Sequence, residues 1–327
     1  MTPDAIGQLC ALTAAMTWAM ALIFFRKSGE RIHPLALNLY KNVVGIVMIL
    51  IALWLLHALG VADFGFDSDS EAGWRHSTPA ANYYLLIISG VLGIAIADTL
   101  LFKCLNLVGV SMFVIVECTY SPITLLVAWW ALAERIEWPH IVGGILILFA
   151  ILLTVKARPP ADRTRREVTI GFLLGILYIF LMAVGIVLAK PVFTTDRFPL
   201  LEATVLRLIA GTTALALMAA ASPKRREMFA VFKPTRYWKY TFPGAFLGGF
   251  LSMVFWIAGF KYTETGVAAI LNQTSVVFAA ILAVIFLREH ISRRKLISIA
   301  LAFAGVLLVR LGPSLSQHLD ALMRRGQ

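Results

Sequence analysis

The stretch "FVIVECTYSPITLL" (Phe113–Leu126) is apolar enough for a membrane span, yet it carries a carboxylate, Glu117. A similar stretch, "AILNQTSVVFAAIL" (Ala269–Leu282), recurs later in the chain with Asn272 and Gln273, 155 and 156 residues after Glu117, at the place of the acid. Two apolar segments that share their length and a central polar position indicate an internal duplication. The fold is therefore expected to consist of two related membrane-spanning halves.

The composition also indicates a membrane protein. Of the 327 residues, 60% are hydrophobic and only 14% are charged, whereas soluble proteins contain about 25% charged residues. The net charge of +11 comes from short basic clusters between apolar runs, so we expect no nucleic-acid binding. The three cysteines show no paired spacing, which argues against disulfides.

The apolar runs predict an all-α polytopic membrane protein. A helix needs about 20 apolar residues to cross the hydrocarbon core. The predicted ten transmembrane helices are 6–25, 35–56, 82–102, 109–132, 139–156, 169–189, 200–221, 241–260, 266–287 and 295–311. Two connections are longer than the others: 57–81 is acidic, and 222–240 contains six Lys and Arg residues.

Further matches between the halves support the duplication. Span 1 ends in "FFRKS" and span 6 in "VLAKP", while span 4 ends in "ALAERI" and span 9 in "FLREHI". Because five spans are an odd number, the second half must enter the membrane from the opposite side. The prediction is a single membrane domain made of an inverted 5+5 repeat, 1–158 and 159–327, the second including a short C-terminal tail. Such repeats are typical of secondary transporters with a midplane site.

The basic loops predict the orientation of the spans. Lys and Arg concentrate in the connections that follow odd-numbered spans, and cytoplasmic loops are the basic ones. Both termini are then expected outside, although Arg324 and Arg325 in the C-terminal tail favour the opposite orientation.

Four ionisable residues stand out inside predicted spans: Lys41, Asp98, Glu117 and Arg207, whereas Glu202 lies near the start of its span. Each costs about 3 kcal/mol at a helix centre and is a functional candidate. Asp98 and Glu117 are about equally far from the connection at 107–108, so they are expected at the same depth. Two nearby carboxylates in a low dielectric do not both ionise cheaply, so one should bind a proton near neutral pH. The alternative is a structural acid neutralised by a lysine such as Lys103.

Lys41 and Arg207 lie at matching depths, each shortly after the proline that opens its span. They either anchor an anionic group or snorkel to the headgroups. Pro122 interrupts span 4 as a hinge or as a static bend. Asn272 and Gln273 either face a cavity or join helices by hydrogen bonds.

Three aromatic residues are candidates for stacking on a substrate, with burial in the core as the alternative: Trp18, Tyr178 and Trp256. The sequence has no HExxH, no paired CxxC and no glycine-rich phosphate loop, so no metal, cofactor or enzymatic activity is expected. An intramembrane enzyme that uses Asp98 and Glu117 as an acid pair is retained as an alternative.

The chain resembles the EamA-type members of the drug/metabolite transporter superfamily. The resemblance covers about 6–311 and rests on "AMTWAMALIFFRK" in span 1, the proline-opened spans 2 and 7, and the acidic span ends "ALAERI" and "FLREHI". It implies a carrier for small metabolites whose cavity lies among helices 1, 3, 4, 6, 8 and 9. These helices hold Trp18, Asp98, Glu117, Tyr178, Trp256, Asn272 and Gln273. At the span ends, Glu134 and Glu289 would have a structural or gating role.

Two departures from the family matter. Lys41 stands where an arginine is common, and span 1 lacks the acid of the small four-helix multidrug relatives, so Glu117 is the candidate for proton coupling. The expected function is export of a small metabolite, such as an amino acid, across the bacterial inner membrane by alternating access. Its partners would be that substrate, protons and membrane lipid, with the protein a monomer or weak dimer. A flippase for a lipid-linked phosphate carrier, gripped by Lys41 and Arg207, is the runner-up.

Overall fold

A computed structural model describes residues 2–29, 32–59, 80–134, 137–154, 163–194, 199–278, 281–282, 293, 296–297 and 300–309. Across these residues the chain is helical and contains no β-strand. Three features of the sequence lie outside the described residues: the acidic part of the 57–81 connection beyond residue 59, Glu289, and the C-terminal tail from Arg310.

The helices follow the apolar runs of the sequence. In the first half they are α1 (Pro3–Gly29), α2 (Pro34–Ala58), α3 (Ala80–Gly90), a π-helix (Val91–Ala97), α4 (Asp98–Glu117), α5 (Tyr120–Leu132) and α6 (Trp138–Thr154). In the second half they are α7 (Arg165–Thr194), α8 (Leu200–Ala221), α9 (Arg225–Phe229), a 3-10 turn (Ala230–Phe232), α10 (Trp238–Ala245), a second π-helix (Phe246–Leu251), α11 (Ser252–Tyr262) and α12 (Thr265–Asn272). A last helix, α13, covers Ala300–Val309.

Among the described residues, seven helices are long and apolar enough to cross a membrane. Three shorter apolar helices accompany them, at Trp138–Leu153, Thr265–Phe278 and Ala300–Val309. Large apolar side chains such as Trp54 and Trp130 are exposed on the outside of the protein, as expected for helices that face lipid. The predicted multi-pass helical architecture is confirmed.

The chain reverses direction within α4. A Cβ atom on Gly175 of α7 would lie 2.9 Å from Cys104 Sγ and 2.6 Å from Val116 Cγ1. In a straight helix, Cys104 and Val116 would be about 18 Å apart. Because both lie against Gly175, the chain must turn between them. Gly171, one turn earlier on α7, lies against Val108. The turn is therefore near the predicted connection at 107–108.

Two glycines bring the halves into close contact. A Cβ atom on Gly249 would collide with the Lys41 carbonyl oxygen, and one on Gly90 would collide with the Arg207 carbonyl oxygen. Glycine allows the backbones to approach this closely. Lys41 lies on α2 and Arg207 lies on α8. As a result, each of these two helices crosses a helix of the opposite half next to a π-helical segment.

The basic connection 222–240 is folded onto the ends of the helices. Met228 and Val231 are buried, and the Trp238 indole Nε1 donates a hydrogen bond of 3.2 Å to the Val231 carbonyl oxygen. Lys233 and Arg236 remain exposed. The positive charge of this loop is thus held on an ordered surface.

Candidate functional site

The helix that holds Glu117 is interrupted directly after it. α4 ends at Glu117 and α5 begins at Tyr120. Thr119 spans the interruption, because its backbone N–H and its hydroxyl both donate to the Val116 carbonyl oxygen, at 2.9 and 2.7 Å. Pro122 is the third residue of α5, where a helix tolerates proline because the first turn has unpaired N–H groups. The interruption therefore precedes the predicted hinge residue.

A second interruption lies at the matching place of the other half. α12 ends at Asn272, and the next two residues form a turn before the helix resumes. The Thr274 hydroxyl donates to the Leu271 carbonyl oxygen at 2.6 Å. Both residues lie 155 positions after their counterparts in the first interruption. No proline causes this second break, so the threonine bond is the feature that the two share.

The two interruptions contact each other. The Gln273 side-chain Nε2 donates a hydrogen bond of 2.6 Å to the backbone carbonyl oxygen of Glu117. Asn272 is partly exposed, and its amide bonds within its own helix, to the Ala268 carbonyl oxygen at 2.9 Å. Of the two predicted residues, Gln273 joins helices, whereas Asn272 leaves part of its side chain accessible.

The two intramembrane acids lie near each other but have different partners. The carboxyl groups of Asp98 and Glu117 are within electrostatic range. Asp98 Oδ2 lies 3.8 Å from the Lys41 ammonium group. Lys103, the partner considered from the sequence, is exposed. Among the described residues, no hydrogen bond or ion pair reaches the Glu117 carboxylate.

The two cations are buried instead of reaching for the headgroups. Lys41 is 8% exposed and Arg207 is 2% exposed, which excludes snorkelling in this conformation. Lys41 Nζ lies 5.6 Å from the ring centre of Trp18, and the Arg207 guanidinium lies 5.3 Å from that of Trp256. Each cation therefore pairs with one aromatic candidate by a cation–π contact.

The three aromatic candidates differ in accessibility. Trp18 and Trp256 are partly exposed. Tyr178 is 1% exposed and stacks on Phe113, with ring centres 6.0 Å apart. In this structure Tyr178 is a core residue, whereas the two tryptophans have surface available for a ligand.

A polar cluster joins residues near the ends of several helices. The Lys190 ammonium lies 3.0 Å from Glu134 Oε1 and donates a hydrogen bond of 2.6 Å to the Thr263 carbonyl oxygen. Glu134 also accepts bonds from the Thr265 hydroxyl at 2.7 Å and the Gly266 N–H at 3.3 Å. We call Glu134, Lys190, Thr263, Thr265 and Gly266 the end cluster.

The end cluster extends to the first helix. The Thr263 hydroxyl donates to Asp4, which in turn accepts a bond of 2.8 Å from the Gln8 amide. Glu264 lies beside the cluster, between α11 and α12, with one buried carboxyl oxygen that has no hydrogen bond. Burial raises the pKa of Glu264 and the negative charge of Glu134 raises it further, while Lys190 opposes both effects.

Sequence reasoning missed several members of these sites. Ser89 accepts a hydrogen bond of 2.8 Å from Arg207 Nε, and Tyr120 and Thr124 bury their hydroxyl groups in α5. Lys190 lies in the segment "VLAKP", whose sequence indicates only the repeat. The signal in each case is a single polar residue at a buried helical position. The described residues contain no group of three or more His, Cys, Asp or Glu that could hold a metal ion.

A multi-pass helical bundle that buries charged residues beside interrupted helices has the architecture of a membrane transporter. The sequence profile of the EamA-like transporter family matches residues 5–156 and 169–311. The chain belongs to this family.

Two relatives and one solved structure are similar to the chain. An uncharacterized transporter of Archaeoglobus fulgidus is 25% identical over 306 residues, which cover 93% of this chain and 98% of the relative. The uncharacterized transporter YoaV of Bacillus subtilis is 25% identical over 147 residues, covering 45% of this chain and 46% of the relative. A crystal structure that is 18% identical superposes with a TM-score of 0.75 and covers 96% of this chain and 98% of its own. That last similarity shows a shared fold.

Proposed function

We propose that this transporter is a proton-coupled secondary carrier that exports a small polar or amphipathic metabolite, such as an amino acid, by alternating access. Ten spans, arranged as an inverted repeat of 1–158 and 159–327, would form it. The carrier would work as a monomer or weak dimer in the bacterial inner membrane. The observation that carries this proposal is the pair of matched helix interruptions joined by Gln273 and Glu117.

The matched contacts support the inverted repeat. The threonine bonds at the two interruptions are 155 residues apart in sequence, and the crossings at Gly90 and Gly249 involve the backbones of Arg207 and Lys41. Contacts of the same kind at equivalent positions are expected when two copies of one unit associate about a pseudo-two-fold axis.

The partly exposed polar and aromatic residues support a central binding site. They come from several helices of both halves: Trp18, Asp98, Glu117, Trp256 and Asn272. Interrupted helices offer unpaired backbone groups at membrane depth, and carriers use such groups to bind ions and substrates. A substrate in this site would contact both halves and respond to their relative movement.

The different partners of the two acids support proton exchange at Glu117. Lys41 compensates the charge of Asp98, whereas Glu117 has no cation in contact among the described residues. Near Asp98 and in a low dielectric, Glu117 would exchange a proton at lower cost than it would hold a permanent charge. Asp98 would then adjust the proton affinity of Glu117 when its own contact with Lys41 changes.

The end cluster supports a gate that alternates with substrate release. It connects α1, α7 and the α11–α12 connection to Glu134, two residues after the end of α5. Closing one end through ion pairs and hydrogen bonds, without an apolar seal, allows reversible opening. In the orientation predicted from the basic loops, this closed end is external.

Transport in liposomes tests the proposal. Purified protein is reconstituted into liposomes loaded with a mixture of amino acids, and a pH gradient is imposed across the membrane. We expect efflux of a subset of the amino acids that depends on the gradient, measured by mass spectrometry of the external medium. The proposal would be contradicted if protein-free liposomes released the amino acids at the same rate, or if the rate of efflux did not depend on the pH gradient.

A further inference from the structure

Two cations at matching places in the two halves have different partners. Lys41 lies 3.8 Å from the carboxylate of Asp98. Within the described residues Arg207 has no ion pair with a carboxylate, and Asp98 acts on it only at longer range. A buried charge is costly unless it is paired and hydrogen-bonded. Arg207 is therefore the cation that is suited to pairing with an anionic group from outside the chain.

Ser89 orients the guanidinium of Arg207. The Nε atom of Arg207 donates to the Ser89 hydroxyl at 2.8 Å, and that hydroxyl donates to the Gly185 carbonyl oxygen. With Nε engaged, the two terminal nitrogen atoms carry the remaining donors of the guanidinium. In the described part of the chain neither terminal nitrogen has a hydrogen-bond partner. A planar fork held in this way suits bidentate binding of a carboxylate or phosphate.

Two buried hydroxyl groups lie on the same side of α5. Tyr120 and Thr124 are one helical turn apart, and their buried hydroxyl groups make no well-aligned hydrogen bond, although the Tyr120 hydroxyl lies within interaction range of Thr124 and of Trp256. Tyr120 faces Trp256, the ring on which the Arg207 guanidinium rests. Buried polar groups without partners are rare in proteins. These hydroxyls and the Arg207 fork therefore converge on one region.

The first turn of α5 adds a third feature. This helix has 13 residues, and its N-cap residue, Thr119, makes no side-chain capping bond. Thr119 instead uses its hydroxyl on the preceding helix. The N–H groups of Tyr120 and Ser121 and the positive end of the helix dipole thus remain available for an anion.

We propose that Arg207, Tyr120 and the first turn of α5 form a subsite for one oxyanion, a carboxylate or a phosphate, on the transported molecule. This subsite rests on the proposed transport function, because the molecule it holds is the substrate. The cation that matches Arg207 in the other half, Lys41, lies outside the subsite because Asp98 already neutralises it. The carrier would select for an acidic group on one end of its substrate.

Thermal unfolding of the detergent-purified full chain tests the subsite with simple probes. Benzoate, phenyl phosphate and benzamide are compared at constant ionic strength set with sodium chloride. A ligand selective for the folded state raises the apparent Tm in a saturable way. We expect a saturable rise with benzoate or phenyl phosphate and none with benzamide. The stronger of the two anions identifies the preferred oxyanion.

Matched variants locate the effect. Arg207→Lys keeps the charge but removes the fork, and we expect it to weaken the apparent affinity for the anion about tenfold. Tyr120→Phe removes one hydroxyl and should weaken it about three- to tenfold. The exposed Lys233→Gln removes a positive charge elsewhere and should leave the affinity unchanged. If Arg207→Lys does not purify as folded protein, Tyr120→Phe carries the comparison alone.

Two results would overturn the subsite. One is an equal response of the wild type to benzoate and benzamide, and the other is an anion response that Tyr120→Phe and Arg207→Lys leave intact. Gradient-driven efflux from liposomes is measured on the same preparations. Efflux without anion selectivity would reject the subsite and keep the transport function, whereas the loss of efflux in every preparation would reject the transport function itself.

Discussion

The side-chain amide of Gln273 donates a hydrogen bond to the backbone carbonyl of Glu117. Because α4 ends at Glu117, the carbonyl of this residue has no hydrogen-bond partner within its own helix. The side chain of Gln273, from the interrupted helix of the other half, supplies the missing hydrogen bond. The polar residues that stand out in the two apolar stretches of the sequence are therefore connected in space.

Replacing Gln273 should destabilise the fold more than replacing its neighbour. Gln273→Leu leaves the partly buried Glu117 carbonyl without a partner, which costs about 1–3 kcal/mol. Asn272→Leu is the matched control, because that amide bonds within its own helix and should cost less. Thermal unfolding in detergent measures both, and equal losses would show that the contact between the halves adds nothing.

The threonines at the two interruptions should respond alike. Thr119→Val and Thr274→Val keep the shape of the side chain but remove the hydroxyl that bonds to the carbonyl three residues earlier. Each substitution should cost about 1 kcal/mol. Unfolding temperatures of the two single variants test this expectation. A large loss for one and none for the other would argue that the interruptions are not equivalent.

We expect the end cluster to control access of solvent and reagents to the interior of the helix bundle from the end at which the cluster lies. Lys190→Met leaves Glu134 without its cation, and we expect the closed end to open more often. Cys10 on α1 is partly exposed and free, so its rate of reaction with a membrane-impermeant maleimide reports the opening, in a background with Cys104 and Cys118 replaced by serine. The rate should rise several-fold in Lys190→Met and stay at the wild-type value in the exposed Lys239→Gln. An unchanged rate in Lys190→Met would exclude the gate.

The end cluster should also loosen as the pH rises. Burial and the nearby Glu134 raise the pKa of Glu264 above its usual 4.5, so the folded state holds this proton more tightly than the unfolded chain. The stabilising contribution is then fully present below about pH 4.5 and is lost as the pH rises through the higher folded-state value. Once ionised, Glu264 competes with Glu134 for Lys190, while the acids Asp4 and Glu137 also face it.

The measurement is the maleimide rate at Cys10 as a function of pH, corrected for the ionisation of a free thiol measured on a small-molecule standard. The wild type should show an extra rise with pH that Glu264→Gln abolishes, because the amide cannot ionise. An identical profile in both proteins would assign the pH dependence to another group.

Much of the fold is predictable from apolar length, because a span needs about 20 apolar residues whatever its neighbours are. Span 200–221 coincides with α8, and the turn near Leu107 and Val108 lies where two apolar runs meet. The π-helical segments were not foreseen, since they arise from how neighbouring helices fit together. The predicted spans 266–287 and 295–311 extend partly beyond the described residues.

The candidate site was predictable in its charges but not in its pairings. Lys41, Asp98, Glu117 and Arg207 stand out because charge is rare in spans. That Asp98 contacts Lys41 and not Lys103 depends on how α2 crosses the other helices, which no local pattern encodes. The burial of Tyr178 was left open for the same reason, since an aromatic residue at helical spacing suits a core and a cavity equally well.

Proton exchange at Glu117 can be measured by comparing two proteins in liposomes. Wild-type and Glu117→Gln protein are reconstituted at equal density into liposomes loaded with an amino-acid mixture, and internal pH and external amino acids are recorded together after a pH jump. We predict that the wild type couples amino-acid efflux to proton entry. In Glu117→Gln, gradient-driven efflux should fall at least about tenfold, while exchange of amino acids at equal pH continues. Gradient-driven efflux at the wild-type rate in Glu117→Gln would contradict the account.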